Sequence, residues 1–128
     1  MSTLKVNRIE PRTGDTVEIV GLDIPEPPEI PESPVKAWVN FNGSGTVAIR
    51  ESGNVSSITD NGAGNYTMNF STSMPDVNYA VAGSCNEPNG SQRVFHVTGY
   101  QTSDIRIYTL DQNSGKQDAD YVNAVVVR

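Results

Sequence analysis

The sequence has a single cysteine, a single histidine and a single tryptophan, and these shortages exclude several classes of site. Cys85 has no partner for an internal disulfide, so the chain fits a reducing compartment or an assembly formed inside a cell. One histidine and one cysteine leave little material for a transition-metal site or a Cys–His nucleophile. We therefore expect no metal, no cofactor and no catalytic residue, and we predict that the protein is not an enzyme.

Basic residues and long apolar runs are also scarce. Nine Lys and Arg stand against fifteen Asp and Glu, a formal net charge of −6, whereas a protein that follows nucleic-acid phosphates needs clustered basic side chains. No run reaches the about 18 apolar residues that a membrane span requires. The first seven residues contain no apolar stretch, so no secretory signal is expected. Neither nucleic acid nor a membrane is an expected partner.

Proline is abundant, but six of the eight prolines lie within residues 1–34. Proline lacks the backbone donor that a helix or a central strand needs, so residues 25–34 are predicted to run as an extended strap. Residues 1–34 carry three basic and seven acidic side chains, net −4, and residues 35–128 carry six and eight, net −2. We predict two parts, an extended N-terminal arm (1–34) and a folded domain (35–128).

The arm carries two apolar patches on either side of a turn signal at residues 11–15. A segment that cannot bury these groups in a core of its own is expected to bury them on a partner. The alternative is that the arm folds back on its own domain. The side chains predicted to make the partner contact are Leu4, Val6, Ile9, Val17, Ile19, Leu22 and Ile24.

The domain alternates between apolar and polar residues, as half-buried strands do. In Asn65–Phe70, for example, Tyr66, Met68 and Phe70 share one face, and the Asn61-Gly62 pair before them is a hairpin signal. Short runs of this kind separated by Gly, Asn and Asp turns predict an all-β fold, an antiparallel β-sandwich of jelly-roll type. The predicted strands are 37–41, 46–50, 54–59, 65–70, 78–84, 93–99, 105–110 and 121–127.

Four features are candidates for chemistry, and for each the structural interpretation is favoured. His96 lies in the middle of a predicted strand with no nucleophile motif nearby, and Cys85 has no basic neighbour in sequence to lower its pKa. Residues 43–48 match a loose dinucleotide-binding pattern, but a strand follows where that pattern needs a helix. Residues 111–120 are acidic, but they lack the spacing of a calcium-binding loop.

Nine aromatic residues, all after residue 34, invite a carbohydrate-binding interpretation, because Tyr and Trp can stack on sugar rings as on other flat apolar surfaces. Their positions in the predicted strands favour roles in the core or in contacts between subunits. Trp38, which directly follows the strap, is the residue predicted to make a subunit contact.

Two stretches of the chain resemble known proteins. Residues 36–46, 49–50, 54–62, 64–70 and 78–81 resemble a β-rich module of tailed-bacteriophage virion proteins, especially tail-fibre ends and cyanophage structural proteins. Leu4–Ile9 and Thr13–Ile19 are similar to the opening segment of many phage fibre and capsid-surface proteins. This resemblance implies a virion surface component, usually trimeric, with no catalytic residue to carry over.

Only residues 20–35 separate the two stretches, which leaves no room for a fibre shaft. We therefore predict a capsid decoration, or cement, protein. It is made in the host cytoplasm, binds the major capsid protein on the capsid exterior as a homo-oligomer, most simply a trimer, and staples the shell with its arm. The alternatives are a short tail fibre or fibre tip that binds a host glycan and, more distantly, a glycan depolymerase, for which no suitably placed carboxylate pair is visible.

Overall fold

Two antiparallel sheets packed face to face make up the described part of the chain, residues 33–128 of a computed structural model. This confirms the predicted all-β sandwich. The strands of this part, in chain order, are β1 (Val35–Asn42), β2 (Ala48–Gly53), β3 (Val55–Asp60), β4 (Asn65–Phe70), β5 (Ala80–Asn86), β6 (Val94–Thr98), β7 (Asp104–Leu110) and β8 (Tyr121–Val127).

The first sheet has the order β2-β1-β8-β5 and the second has the order β3-β4-β7-β6. The first and last of the eight strands, β1 and β8, pair at the centre of the first sheet. Between residues 33 and 128, three connections are hairpins within one sheet (β1–β2, β3–β4 and β6–β7) and four pass between the sheets. The connectivity is therefore richer in local hairpins than that of a jelly roll, whose successive strands alternate between sheets.

The core lies between the central strands, where alternation is most regular. β4 buries Tyr66, Met68 and Phe70 and keeps the residues between them partly exposed, as predicted. Each fully buried apolar side chain stabilises the fold by roughly 1.5–3 kcal/mol before entropic costs. The other buried apolar side chains of the described residues are Ala37, Val39, Phe41, Val55, Met74, Tyr79, Ile105, Ile107, Ala119, Val122, Ala124 and Val126.

Two strands begin two residues later than the sequence predicts, because side chains bind the backbone before them. The amide of Asn42 donates to the carbonyls of Ser44 and Thr46, so the chain stays in a loop until β2 begins at Ala48. The carboxylate of Asp76 accepts from the backbone N–H of Asn78, and β5 begins only at Ala80. Such local hydrogen bonds offer the backbone an alternative to the sheet.

Asn54 forms the corner at which the chain passes from the first sheet to the second. Its φ of 55° places it in the left-handed region, which Asn tolerates better than most residues. Its amide donates to the carbonyls of Lys36 and Thr72, at 3.0 and 3.1 Å, and its Oδ1 accepts from the N–H of Thr72 at 2.7 Å. One side chain therefore ties β1, the β2–β3 corner and the loop after β4 together.

The predicted boundary between arm and domain coincides with the start of β1 at Val35. Pro34, the last residue of the predicted arm, accepts a backbone hydrogen bond from Arg128 at 2.9 Å. The extended conformation predicted for the arm concerns residues that, apart from Ser33 and Pro34, lie outside the described part of the chain. The arm stays a prediction.

Candidate functional site

The nine aromatic residues divide into a buried group and an exposed group. Phe41, Tyr66, Phe70 and Tyr79 belong to the core, where Phe41 and Tyr66 meet edge to face with ring centroids 5.1 Å apart. The most exposed aromatic side chains in the described part of the chain are those of Trp38, Tyr100 and Tyr121. The first group therefore has the core positions that the sequence allowed, whereas Trp38 and Tyr121 lie on the outward surface of the first sheet, where a core role is excluded.

Trp38 is 40% exposed and lies on the outward side of β1, between the buried residues Ala37 and Val39. Its strand partner on β2 is Gly53, and a Cβ at that position would lie 2.8 Å from Trp38 Cδ1 and closer still to Nε1. The indole ring therefore packs closely against Gly53, and a larger residue at position 53 would displace it. On the other side, Trp38 is paired with Val125 of β8, which is in turn paired with Ala82 of β5.

The adjacent row of the sheet is a ladder of hydrogen-bonded amides. Arg50 Nη1 donates to Asn40 Oδ1 at 3.2 Å, Asn40 Nδ2 donates to Asn123 Oδ1, and Asn123 Nδ2 donates to Ser84 Oγ at 3.3 Å. The bonds run in one direction across all four strands, so the orientation of both amides is fixed. Each amide keeps an N–H and an acceptor lone pair that the ladder does not use.

Arg50 lies at the β2 side of this surface. Its guanidinium lies 4.1 Å from the ring centroid of Tyr121, and its Nη2 donates to the carbonyl of Asp120 at 2.7 Å. The cation is therefore held by an aromatic face, a carbonyl and the Asn40 amide together. It acts as the anchor of the ladder.

We call this surface the Trp38 face. It contains a shallow depression of about 400 Å³, lined by Trp38, Asn40, Ala82, Asn123 and Val125 among others. β2 places two charged residues of opposite sign on this surface, Arg50 and Glu51, and Glu51 is the strand partner of Asn40. Within the described residues, the outward positions on β5, β8 and the part of β1 from Trp38 onward carry no charge. These positions are Trp38, Asn40, Asn42, Ala80, Ala82, Ser84, Asn86, Tyr121, Asn123, Val125 and Val127.

His96 lies on the outward surface of the second sheet, opposite the inward-facing Phe95 and Val97, as predicted. Its ring stacks on Tyr108 with the centroids 6.0 Å apart, and Lys116 Nζ lies 4.4 Å from the centroid of the Tyr108 ring. The histidine has an aromatic neighbour and no nucleophile beside it in the described contacts. It acts as a surface residue of the sheet.

Cys85 is half-buried on β5 and packs against the core. Burial raises the pKa of its thiol, and the charge of Arg93 offsets only part of that rise. A thiol with a raised pKa is a poor nucleophile at neutral pH. The geometry thus agrees with the prediction of an inert, partly buried cysteine.

The loop at residues 111–120 is held by its own hydrogen bonds. Asp111 Oδ1 accepts from the backbone N–H of Asn113 and of Gly115, both at 2.8 Å. Asp118 Oδ1 accepts from the N–H of Gly64 and from the hydroxyl of Tyr66. Within residues 33–128, no three His, Cys, Asp or Glu side chains are grouped as metal ligands would be.

The seven arm residues predicted to contact a capsid (Leu4, Val6, Ile9, Val17, Ile19, Leu22 and Ile24) lie outside the described residues. In the part of the chain that is described, no helix is both long and apolar enough to span a lipid bilayer. The predicted subunit contact of Trp38 stays a prediction, since the structure holds one copy of the chain.

Sequence reasoning identified Trp38 but missed the residues around it. Asn40 and Asn123 are separated by 83 positions and Asn123 and Ser84 by 39, so the ladder exists only once the strands pair. The available signal was the placement of Asn residues at outward positions of otherwise apolar strands.

Comparison with protein-family models, curated proteins and solved structures finds no match to this chain.

Proposed function

We propose that this chain is a structural protein of a tailed-bacteriophage virion, a capsid decoration protein that binds the capsid exterior through its N-terminal arm. One observation carries the proposal: the described residues form a continuous hydrophobic core among themselves, from Ala37 to Val126. In this proposal the apolar groups of residues 4–24 bind the major capsid protein. The resemblance of both stretches to phage virion proteins supports the same conclusion.

The arm binds, in this proposal, by two physical contributions. The alternating residues 16–20 can add a strand to an exposed sheet edge and form directional backbone hydrogen bonds. The apolar side chains contribute roughly 1.5–3 kcal/mol each on full burial, from which the cost of ordering the arm is subtracted. A trimer presents three arms at once, so its binding gains avidity without new contacts.

Oligomer formation would also cover exposed strand edges of the sandwich. β2, β5, β3 and β6 are edge strands of the two four-stranded sheets, and exposed edges favour pairing with another chain. We expect a trimer by light scattering of the purified protein. A mass equal to that of one chain at micromolar concentration would contradict this part of the proposal.

The proposal includes no catalytic step. Its two candidate nucleophile or base residues are accounted for by packing: His96 stacks on Tyr108, and the thiol of Cys85 has its pKa raised by burial.

A second candidate function is favoured by the Trp38 face. An exposed indole beside oriented amides suits a module that binds a host-surface glycan, as a short tail fibre or a fibre tip does.

The two functions predict different copy numbers. Quantitative mass spectrometry of purified virions is expected to find the protein in amounts comparable with the major capsid protein; a few copies per virion would overturn the decoration proposal in favour of the tail.

A further inference from the structure

The Trp38 face combines an aromatic ring, small neighbours and two amides, and the charges of Arg50 and Glu51 stand only on its β2 side. Trp38 packs its indole closely against Gly53 and is 40% exposed. Val125 and Ala82 continue the apolar row across the sheet, and Asn40 and Asn123 form the polar row beside it. We propose that this face is a binding site for a neutral hexose polymer.

Stacking is the first element of the proposed recognition. A pyranose ring has a flat side of C–H groups, which packs on an aromatic face as other apolar groups do. Gly53 lets the indole approach the backbone of β2, because a Cβ at that position would lie 2.8 Å from Cδ1 of the ring. The platform is therefore preorganised, and binding requires little ordering of the tryptophan.

Hydrogen bonding at the rim is the second element. Sugar hydroxyls both donate and accept, and so do the groups that remain free on Asn40 and Asn123. The ladder from Arg50 to Ser84 fixes both amides before any ligand arrives. Among the described residues of this face, Arg50 is committed to Tyr121, Asp120 and Asn40, and Glu51 adds a negative charge beside Asn40, so a neutral sugar suits the face better than an anionic one.

The size of the face suits a small ligand. Four strands about 4.8 Å apart and seven residues of about 3.3 Å each give a flat footprint of roughly 440 Å². A depression of about 400 Å³ is within the range of small-molecule sites.

This inference deepens the second candidate function, and its geometry does not depend on how the protein is attached to a virion. The face would equally serve a decoration protein that adheres to glycans through its outer surface. Failure of glycan binding therefore leaves the capsid proposal standing, and capsid binding is measured separately by co-sedimentation.

Trp38 is the only tryptophan of the chain, so intrinsic fluorescence reports on the site directly. The full chain is titrated with cellohexaose, maltohexaose and mannohexaose as neutral probes and with hexagalacturonate as the anionic probe. We expect a blue shift of the emission and protection from acrylamide quenching with at least one neutral probe. The emission is expected to be independent of protein concentration when no sugar is present.

Three variants separate the site from the fold. Trp38→Ala is expected to weaken binding by at least about tenfold, measured by calorimetry. Gly53→Ala keeps the tryptophan but lifts it from the sheet, and is expected to weaken binding while the circular dichroism spectrum is unchanged. Tyr100→Ala removes an equally exposed aromatic ring elsewhere on the surface and is expected to bind as the wild type does.

Three outcomes would overturn the inference. The first is the absence of any spectral change with every neutral probe at about 10 mM, which corresponds to a binding free energy weaker than about −3 kcal/mol. The second is binding of hexagalacturonate alone. The third is a fall in oligomer mass for Trp38→Ala by light scattering, which would assign the face to a subunit contact instead.

Discussion

The hydroxyl of Tyr66 lies 3.1 Å from a carboxylate oxygen of Asp118, and it also donates to the carbonyl of Gly43 at 2.8 Å. Asp118 accepts in addition from the N–H of Gly64 at 2.9 Å. Three loops at one end of the sandwich thus meet at a single buried phenol. Burial raises the pKa of Tyr66 well above its ordinary value, and the charge of Asp118 adds to that rise.

Replacing Tyr66 with Phe is expected to lower the free energy of unfolding by about 1–2 kcal/mol, because the Gly43 carbonyl and the Asp118 carboxylate share the single proton of that hydroxyl and lose it together. Urea unfolding followed by circular dichroism measures the change. Tyr108→Phe is the matched control on the outer surface of the second sheet and is expected to change stability by less than about 0.5 kcal/mol. Equal effects of the two substitutions would show that the Tyr66 hydroxyl has no special part in the fold.

Two glycines with nearly equal φ angles allow the stability cost of backbone strain to be distinguished from the cost of steric collision. Gly45 has a φ of +62° with no atom near a would-be Cβ, whereas at Gly64, with a φ of +59°, that Cβ would lie 2.5 Å from the backbone nitrogen of Gln117. We expect Gly45→Ala to cost about 1 kcal/mol and Gly64→Ala more than about 3 kcal/mol. Comparable losses in urea unfolding would contradict the close approach at Gly64.

The raised pKa of Tyr79 predicts that the folded protein loses stability at alkaline pH. Its side chain is 7% exposed, its hydroxyl donates to the carbonyl of Gln101 at 2.7 Å, and burial raises its pKa to about 12. In the unfolded chain the phenol ionises near pH 10, while in the folded protein it stays neutral. The stability is therefore full below pH 10 and is lost as the pH rises from about 10 to about 12.

The test compares urea unfolding of the wild type and of Tyr79→Phe between pH 8 and about pH 12. The variant is expected to be less stable at pH 8, because it lacks the hydrogen bond to Gln101, and to lose less stability as the pH rises. Parallel curves for the two proteins would show that Tyr79 does not titrate in this range.

The sequence predicted the sandwich because the information is local. The alternation in β4 and the Asn61-Gly62 turn before it are visible without any tertiary contact, and β4 and β8 have the predicted bounds. β2 and β5 begin two residues later than predicted, because the side chains of Asn42 and Asp76 bind backbone groups before these strands. Patterns of apolar residues carry no sign of such competition.

The candidate site was predictable only in part. An exposed Trp38 follows from its place in a strand whose neighbours are buried, but its contact with Gly53 follows from the register of β1 with β2. That register includes a bulge between Asn40 and Phe41, which shifts every later pair. The amide ladder depends on the same registers across four strands, so sequence alone does not reveal it.

Substitutions in the arm and on the Trp38 face distinguish capsid binding from glycan binding. Leu22→Asp combined with Ile24→Asp places charges where apolar groups are expected to be buried, and is predicted to weaken capsid binding without unfolding the sandwich. Trp38→Ala is predicted to leave capsid binding through the arm unchanged. The reverse pattern would place the capsid contact on the Trp38 face.

The most direct measurement is co-sedimentation of a variant that lacks residues 1–34 with phage capsids that lack the protein. The eight strands of the described residues and the core that they form lie after residue 34, so we expect the truncated protein to keep the circular dichroism spectrum of a β-sandwich. We also expect it to stay in the supernatant, while the full chain pellets with the capsids. Undiminished binding by the folded, truncated protein would contradict the proposal that the arm attaches it to the capsid.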